Sequence, residues 1–354
     1  MLSRCHLRPA LGLVVLLMSL VILLAGCGSS SEQALRLQGS TFGTGWSLVY
    51  LPDAGAPTPE AIEAALEAAF DVVNVSMNTY DPQSNISRFN RLAAHEPMEM
   101  DWDFTYVFSE ASRIGLMSGG AYDVTVSPLL KIWGFGPEGP ELFPTPEKVA
   151  EGMTRVGLQR LDWDPLTRTL SKKVDGMAVE LSSIAKGYGV DLGADALDEL
   201  GLKHYMLEVG GEMQLRGQSP RGDPWRVAIE RPEGGRRGIQ AAISLTDVGV
   251  ATSGDYRNYF ERDGKRYSHL LDPRTGYPIE HDMVSATVVH PSTAIADAWA
   301  TALCIMGADA ALALAEQHHL AIYVIRRVDD QLVEAWSTGF TPYLNEAAGS
   351  AASG

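Results

Sequence analysis

The sequence is short of basic residues. Lys and Arg together number 28 in 354 residues, against 44 Asp and Glu, which gives a formal net charge of −16 at pH 7. Because proteins bind nucleic acid through cationic surfaces that neutralise phosphates, this balance makes nucleic acid a poor partner. The composition is otherwise 45% hydrophobic and 20% charged, which is typical of a globular chain and excludes a disordered or collagen-like one.

The sequence also lacks an apolar run that would span a bilayer comfortably near its start. The run Leu11–Leu24 is too short for that and follows Arg4 and Arg8, a pattern typical of a secretory signal peptide. Removal of residues 1–26 takes away two basic residues and no acidic one, which leaves 26 basic against 44 acidic residues and a formal charge of −18.

Cysteine is scarce as well, and its positions exclude an intrachain disulfide. Cys5 leaves with the signal peptide, and Leu24-Ala25-Gly26-Cys27 resembles the bacterial lipobox, after which the cysteine is acylated and becomes the first residue. Cys304 then has no cysteine to pair with, even in an oxidising compartment. The alternative is an ordinary signal peptide followed by a chance cysteine.

The residues that flank the body predict a tethered protein of the bacterial cell envelope. Residues 27–38 are interpreted as the lipidated cysteine and a flexible tether, and residues 345–354 as a disordered tail. Gly28 in place of Asp after the cysteine favours the outer membrane over the inner one, by resemblance to the bacterial sorting rule. We therefore expect a body spanning residues 39–344 that faces the periplasm and touches the membrane through its lipid alone.

The hydrophobic patterns of the body predict an α+β fold. Thr58-Pro59-Glu60 supplies an N-cap, a proline at the first helical position and an acid, and apolar residues then recur at helical spacing to Val73. Further helices are predicted near residues 104–118, 184–200, 294–306 and 308–318, and strands near 205–209, 225–229, 239–245, 285–289 and 320–325. Short Gly/Pro/Asp turns favour antiparallel sheets with packed helices. Two closely associated lobes are expected, linked by the proline-rich loop Phe135–Pro146.

The segment Glu180–Gly189 is the first candidate site. It lies at a predicted strand-to-helix junction, where free N–H groups and the positive end of the helix favour an anion. Ser182 and Ser183 are small enough to let the anion approach, and Lys186 adds a positive charge, so a diphosphate would suit this segment. The alternative is that a serine here is simply an N-cap.

Asp297 and Thr301 form the second candidate site. They are four residues apart on a predicted helix, so their oxygens lie on one face, one turn apart. One carboxylate and one hydroxyl, completed by water or substrate oxygens, suit Mg²⁺ or Ca²⁺. The alternative is an aspartate that faces solvent beside a threonine bonded to its own helix.

The third candidate is His269, in the segment Tyr267–Pro278. A histidine can act as general base for a hydroxyl near neutral pH, although it can equally be structural. The second half of the segment, with Asp272-Pro273 and Gly276, is a turn sequence.

Glycines and aromatics add weaker indications of a ligand. The clusters Glu208–Glu212 and Gly249–Tyr256 end predicted strands, where backbone can approach a ligand or simply turn. Tyr80 and Tyr122 are candidates to stack on a planar ring or to pack in the core.

Taken in order, these segments resemble the ApbE family of FAD:protein FMN transferases over about Gly39–Leu344. The matching stretches are Thr41–Thr44, Asn78–Asp81, Ser84–Asn90, Gly120–Leu130, Trp133–Gly136, Leu181–Asp191, Leu207–Glu212, Ala251–Arg257, Ser268–Pro278 and Ala296–Leu303. The resemblance implies an ApbE-like fold and an enzyme that binds FAD and Mg²⁺. Such an enzyme splits the flavin pyrophosphate, esterifies FMN onto a Ser or Thr hydroxyl of a target protein and releases AMP.

The resemblance also implies roles for particular residues. Its FAD contacts fall on Phe42, Tyr80, Ala121, Tyr122, Asp123, Glu180, Lys186 and Leu271. Metal ligation falls on Asp297, Thr301 and the main-chain carbonyl of Ser183, and His269 resembles the family's proposed base. Two positions depart from the family pattern, because position 42 is Phe where Met is common and position 180 is Glu where Asp is common. Both changes keep the chemical character and alter the reach of the side chain.

The expected acceptors resemble flavinylated subunits of the sodium-pumping NADH:quinone reductase, of the Rnf complex, or other exported electron carriers. Three rival functions remain open on the sequence. The protein could hydrolyse FAD to FMN and AMP, bind FAD without reaction as a lipoprotein, or be a general solute-binding lipoprotein. The pair Asp297 and Thr301 argues against the last, because a solute binder needs no metal.

Overall fold

An eight-stranded antiparallel sheet organises the structure, a computed structural model that describes residues 33–135, 143–232, 238–256, 258–262, 264–329 and 331–344. Its strand order is β1-β2-β6-β7-β10-β15-β16-β17. The strands are β1 (Leu35–Thr41), β2 (Thr44–Tyr50), β3 (Met98–Glu99), β4 (Leu161–Asp164), β5 (Thr169–Lys172), β6 (Tyr205–Val209), β7 (Glu212–Arg216), β8 (Trp225–Arg231), β9 (Gly238–Leu245), β10 (Val248–Gly254), β11 (Tyr259–Arg262), β12 (Lys265–Ser268), β13 (Leu271–Asp272), β14 (Tyr277–Pro278), β15 (Met283–His290), β16 (Ala321–Val328) and β17 (Gln331–Trp336).

Helices pack against this sheet, and smaller sheets flank it. The helices are α1 (Pro59–Met77), α2 (Asn85–Arg91), α3 (Trp102–Met117), α4 (Ser127–Ile132), α5 (Pro146–Met153), α6 (Ser182–Glu199), α7 (Thr293–Met306) and α8 (Ala308–His318), with 3₁₀ turns at Leu158–Arg160 and Thr338–Tyr343. The smaller sheets are β3-β5-β4, β8-β9, β11-β12 and β13-β14. Among the described residues, no helix is both long and apolar enough to cross a bilayer.

The predicted elements are present, so the α+β prediction is confirmed. Helix α1 begins at Pro59, and the Thr58 hydroxyl accepts the Ala61 N–H at 3.3 Å, which is the predicted N-cap. Every pairing between strands of the described residues is antiparallel. The described residues from Ala34 onward form one compact unit, and the division into two lobes stays a prediction.

Several predicted segments lie wholly or partly outside the residues that the structure describes. The signal peptide, Cys27 and the tail 345–354 are outside the described residues, as are residues 136–142 of the predicted linker loop. The predicted tether was too long, because residues 35–38 belong to β1 and pair with β2. Leu37 gains burial there by packing beside the core under the sheet.

The two faces of the sheet are covered differently. On one face, Leu48 and Leu207 pack against Leu66 of α1 and Val190 of α6. On the other face, the hairpin β8-β9 covers the strands from β7 to β16, with Ile243 and Ile229 packed in a second core. The hairpin leaves the opposite edge of that face, around β1 and β2, more open.

A close crossing of α6 and α7 positions the candidate residues. A Cβ on Gly187 would lie 2.5 Å from the main-chain oxygen of Thr293, so only glycine lets the two helices approach this far. Asp191 of α6 fixes the start of α7, because its carboxylate accepts the N–H groups of Thr293 and Ala294 at 2.7 and 3.0 Å. This crossing brings Lys186 of α6 against Asp297 of α7.

Candidate active site

A half-buried lysine ammonium between two buried carboxylates forms the centre of the site. The Lys186 Nζ lies 3.3 Å from Asp297 Oδ2 and 3.2 Å from Glu212 Oε1. The Gly187 N–H also donates to Asp297 Oδ2, at 3.2 Å. Asp297 and Glu212 are each 3% exposed, and Glu212 Oε2 has no hydrogen-bond partner. The group therefore carries more negative than positive charge in a place with little water.

The charged groups of this centre shift one another's pKa values. Burial raises the pKa of Asp297 well above its ordinary value, against the opposing effect of Lys186, and Glu212 raises it further. Burial alone would lower the pKa of Lys186, but Asp297 and Glu212 raise it above its ordinary value. Lys186 therefore stays charged across the physiological range.

Lys186 is expected to stabilise the fold strongly. Lys186→Met would leave two buried carboxylates without their shared cation, and we expect the free energy of unfolding to fall by about 3 kcal/mol. Lys203→Met is the matched control, because Lys203 is exposed, 3.6 Å from Asp53, and such pairs are worth about 1 kcal/mol or less. Urea unfolding of both variants measures the difference.

The double variant Lys186→Met/Glu212→Gln is expected to recover part of that stability, because it removes one of the stranded charges. An equal and small effect of Lys186→Met and Lys203→Met would contradict the assignment of Lys186 as the cation that compensates this centre.

A cavity of about 360 Å³ surrounds the centre and collects most of the predicted residues. Those that line it are Tyr122, Asp123, Glu180, Ser183, Lys186, His269, Leu271, Asp297 and Thr301. Phe42 and Tyr80 line a neighbouring cavity of about 420 Å³, and the two cavities share Glu180, Ser182 and Lys186. Residues far apart in the sequence therefore meet at the start of α6.

The start of α6 is not capped by a serine side chain. The N-cap position is Leu181, which has no side-chain cap, while Glu180 Oε1 accepts the Ser182 N–H at 2.9 Å. The Ser183 hydroxyl is instead hydrogen-bonded to the Tyr122 hydroxyl at 2.8 Å. The N-cap alternative is therefore wrong. Because the Ile184 N–H donates to the Leu181 carbonyl at 3.0 Å, the N–H of the first turn that is left for an anion is that of Ser183.

The pair on α7 points inward. Asp297 is buried, so the alternative of a solvent-facing aspartate is wrong. Thr301 Oγ1 lies 3.1 Å from the Ser253 hydroxyl, and both line the cavity. The spacing of Asp297 and Thr301 places both oxygens on one face of α7, as the sequence predicted, and this face lines the cavity.

His269 follows β12 and lies on the cavity wall. Its Nδ1 lies 2.9 Å from the carbonyl of Asn258, and because a carbonyl only accepts, Nδ1 carries the proton and Nε2 is left as a base. Burial lowers the pKa of His269, and the nearby charge of Lys186 lowers it further. The imidazole is therefore neutral near pH 7, as a general base requires.

The structure corrects three details of the predicted FAD contacts. Ala121 is fully buried in the main core and lines neither cavity, so its side chain is not in reach of a ligand there. The ring of Tyr122 is 2% exposed, which favours the packing alternative over stacking, and only its hydroxyl serves the site. Both Asp123 carboxylate oxygens already accept bonds, from Thr125 and from the Leu158 N–H at 3.2 Å. Tyr80, at 74% exposed, keeps an open ring face.

The sequence reasoning missed Glu212 and Ser253 as site residues. Glu212 opens β7 directly after the turn Gly210-Gly211, and Ser253 is the next-to-last residue of β10, the neighbouring strand in the sheet. The sequence analysis treated the two glycine clusters only as places where the backbone turns or approaches a ligand. The signal that could have identified Glu212 was its position immediately after Gly210-Gly211. Among the described residues, no group of three His, Cys, Asp or Glu side chains is arranged to hold a metal.

A sequence model of the ApbE family matches residues 42–324, which include the whole site. The chain belongs to the ApbE family. The FAD:protein FMN transferase of Haemophilus influenzae is 42% identical over 92% of this chain and 96% of its own length. That of Vibrio cholerae is 41% identical over 92% of this chain and 97% of its own length.

Solved structures of the ApbE family share the fold. The flavin transferase ApbE from Vibrio cholerae has a TM-score of 0.82 at 39% identity, over 88% of this chain and 99% of that chain. The Pseudomonas stutzeri flavinyl transferase ApbE, in its apo form, has a TM-score of 0.81 at 37% identity, over 88% of this chain and 97% of that chain. The prediction of an ApbE-like fold is confirmed.

Proposed function

We propose that this enzyme transfers FMN from FAD to a Ser or Thr hydroxyl of an exported protein, uses Mg²⁺ and releases AMP. Flavin transfer follows from the ApbE family and from relatives named FAD:protein FMN transferase. One observation supports the use of Mg²⁺ and the splitting of the diphosphate to release AMP. Lys186, Asp297 and Glu212 meet the start of α6 in one cavity.

The start of α6 is the proposed diphosphate site of FAD. An ammonium has three donors, and Lys186 uses two of them on Asp297 and Glu212, so one remains for a phosphate oxygen. The first turn of α6 adds the Ser183 main-chain N–H and the positive end of the helix. Tyr80 and Phe42, in the cavity that adjoins Lys186, are placed to contact a planar ring.

The residues present fit a hard divalent cation. Two buried carboxylates face one ammonium, and Glu212 Oε2 is buried without a partner, so an added positive charge would be favourable here. Asp297, Thr301 and the Ser183 carbonyl are the proposed Mg²⁺ ligands. When bound, Mg²⁺ would supply charge that stabilises the diphosphate oxygens during transfer.

His269 is the proposed base for the acceptor hydroxyl. Its Nε2 would take the hydroxyl proton while the hydroxyl oxygen bonds to the flavin-side phosphorus. The bond from that phosphorus to the bridging oxygen breaks, and the bridging oxygen leaves with AMP. Lys186 would hold phosphate oxygens throughout, and the buried walls formed by Leu271 and Tyr122 limit access of competing water.

Product analysis tests this reaction against its rivals. The body is incubated with FAD and Mg²⁺, with and without a soluble domain of a flavinylated subunit of a sodium-pumping NADH:quinone reductase. AMP that appears together with covalent flavin on that domain is expected. AMP with free FMN would favour an FAD pyrophosphatase, and intact FAD would favour a non-catalytic FAD-binding lipoprotein.

We also propose that the enzyme is anchored in the envelope through Cys27, facing the periplasm. The lipobox-like sequence supports this, as does the flexible composition of the residues that follow it. Because the acceptors expected for this family are exported electron carriers, an anchored enzyme would meet them on the same side of the membrane.

Radiolabelled palmitate tests the anchor. Label is expected in the wild-type protein and in Cys5→Ser, whose cysteine lies in the signal peptide, but not in Cys27→Ser. Incorporation of label into Cys27→Ser, or none into the wild type, would contradict acylation at Cys27.

A further inference from the structure

A groove of about 840 Å³ lies on the sheet beside the candidate site. Its floor crosses six neighbouring strands, β1, β2, β6, β7, β10 and β15, and residues of β8 and β9 form its wall. It belongs to the face that the hairpin β8-β9 covers only in part. None of the residues to which the resemblance assigns an FAD or metal contact lines it.

The groove joins the candidate active site directly. Gly210 and Thr252 line both the groove and the 360 Å³ cavity around Lys186. Gly210 belongs to the turn that precedes Glu212, and Thr252 precedes Ser253, the partner of Thr301. A chain that lay in the groove would therefore reach the reacting centre at Gly210 and Thr252, whereas the cavity lined by Phe42 and Tyr80 meets it at Lys186.

The chemistry of the groove disfavours a nucleotide. Among the described residues that line it, Arg36 is the only basic one, alongside Glu208 and Glu230, so their net charge is negative and would repel a diphosphate. Its floor instead presents hydroxyl and amide side chains, among them Gln38, Ser40 and Ser47, which suit the main-chain groups of a peptide.

We propose that this groove binds the segment of the acceptor protein that carries the modified Ser or Thr. The inference rests on the proposed function, which requires a protein hydroxyl to reach the diphosphate. Six strands about 4.8 Å apart span about 24 Å, which is the length of about seven extended residues. The segment lies across the strands in extended form, with its hydroxyl at the Thr252 end.

Substitutions at two glutamines, on opposite edges of the main sheet, test whether the groove binds the acceptor. Gln38 lies in it on β1, and Gln331 lies on β17, at the far edge; both are exposed. Gln38→Trp fills part of the groove, and Gln331→Trp adds the same bulk elsewhere. The probe is the reductase-subunit domain used above, and FMN transfer is followed at varied concentrations of that domain and of FAD.

Gln38→Trp is expected to raise the KM for the acceptor domain about 10-fold or more, with the KM for FAD within about two-fold of the wild type. Gln331→Trp is expected to change neither KM. An unchanged acceptor KM in Gln38→Trp would overturn the proposal, and so would a raised FAD KM, because it would place the nucleotide in the groove. Absence of transfer by the wild type would instead count against the proposed function.

A crosslink makes the same test without relying on kinetics. A benzophenone side chain at position 38 is expected to capture the acceptor domain on illumination, and the same side chain at position 331 is not. Equal capture at both positions, or none at position 38 in an enzyme that still transfers FMN, would contradict docking in the groove.

Discussion

Asp297→Ala is expected to lower Mg²⁺-dependent FMN transfer by about 1,000-fold, the scale seen when a charge-stabilising group is removed from a reacting phosphate or oxyanion. Asp297 is the buried carboxylate that approaches Lys186 and shares a helix face with Thr301. Its removal takes away both the proposed metal ligand and the partner of the Gly187 N–H. Initial rates are measured as AMP release over a Mg²⁺ titration.

Two further variants serve as controls for the loss of the Asp297 carboxylate. Asp309→Ala removes an exposed carboxylate from the neighbouring helix α8 and is expected to leave the rate unchanged. Asp297→Asn keeps the shape of the side chain, so it separates loss of charge from loss of packing, and it is expected to be nearly as inactive as Asp297→Ala. Full Mg²⁺-dependent turnover by either Asp297 variant would show that the metal assignment is wrong.

His269→Gln is expected to lower the rate of transfer by at least about 100-fold while FAD binding stays the same, because the variant removes the base and no proposed contact to the diphosphate. His281→Gln is the control, since His281 is exposed and lines neither active-site cavity. Quenching of flavin fluorescence measures FAD binding, and covalent flavin on the acceptor measures transfer. A rate equal to that of His281→Gln would remove His269 from the mechanism.

The pH profile follows from the same histidine. A base works only without its proton, and burial places the pKa of His269 below 6.5. The wild-type rate is therefore expected to fall under acidic conditions and to rise with pH as His269 deprotonates, with the midpoint below the ordinary histidine value. His269→Gln is expected to change the position of this acidic limb, and a limb of equal position in that variant would assign the titration to another group, such as Asp297, whose pKa burial raises.

The elements with strong local signals were predictable from the sequence. Thr58-Pro59 fixed the start of α1, and the spacing of Asp297 and Thr301 fixed their common face, because both depend on helix geometry alone. The turn at Asp272–Gly276 formed as its residues indicated, with the Asp272 carbonyl accepting the Gly276 N–H at 2.8 Å.

Contacts between residues that are far apart in the sequence could not be predicted from local patterns. Nothing near Glu212 in the sequence indicates that it faces Lys186, since their contact depends on how β7 lies against α6. The burial of the Tyr122 ring likewise follows from packing in the main core rather than from its neighbours. The length of the tether was misjudged because residues 35–38 become a strand only when β2 pairs with them.

The cavity around Lys186 is the proposed place where FMN moves from FAD to a protein hydroxyl. The measurement that tests it most directly is the intact mass of the acceptor domain after incubation with this protein, FAD and Mg²⁺, followed by peptide mapping. We expect one FMN to be added to a Ser or Thr of the acceptor, in an amount equal to that of the AMP released. An acceptor of unchanged mass while FAD is converted to free FMN and AMP would contradict it.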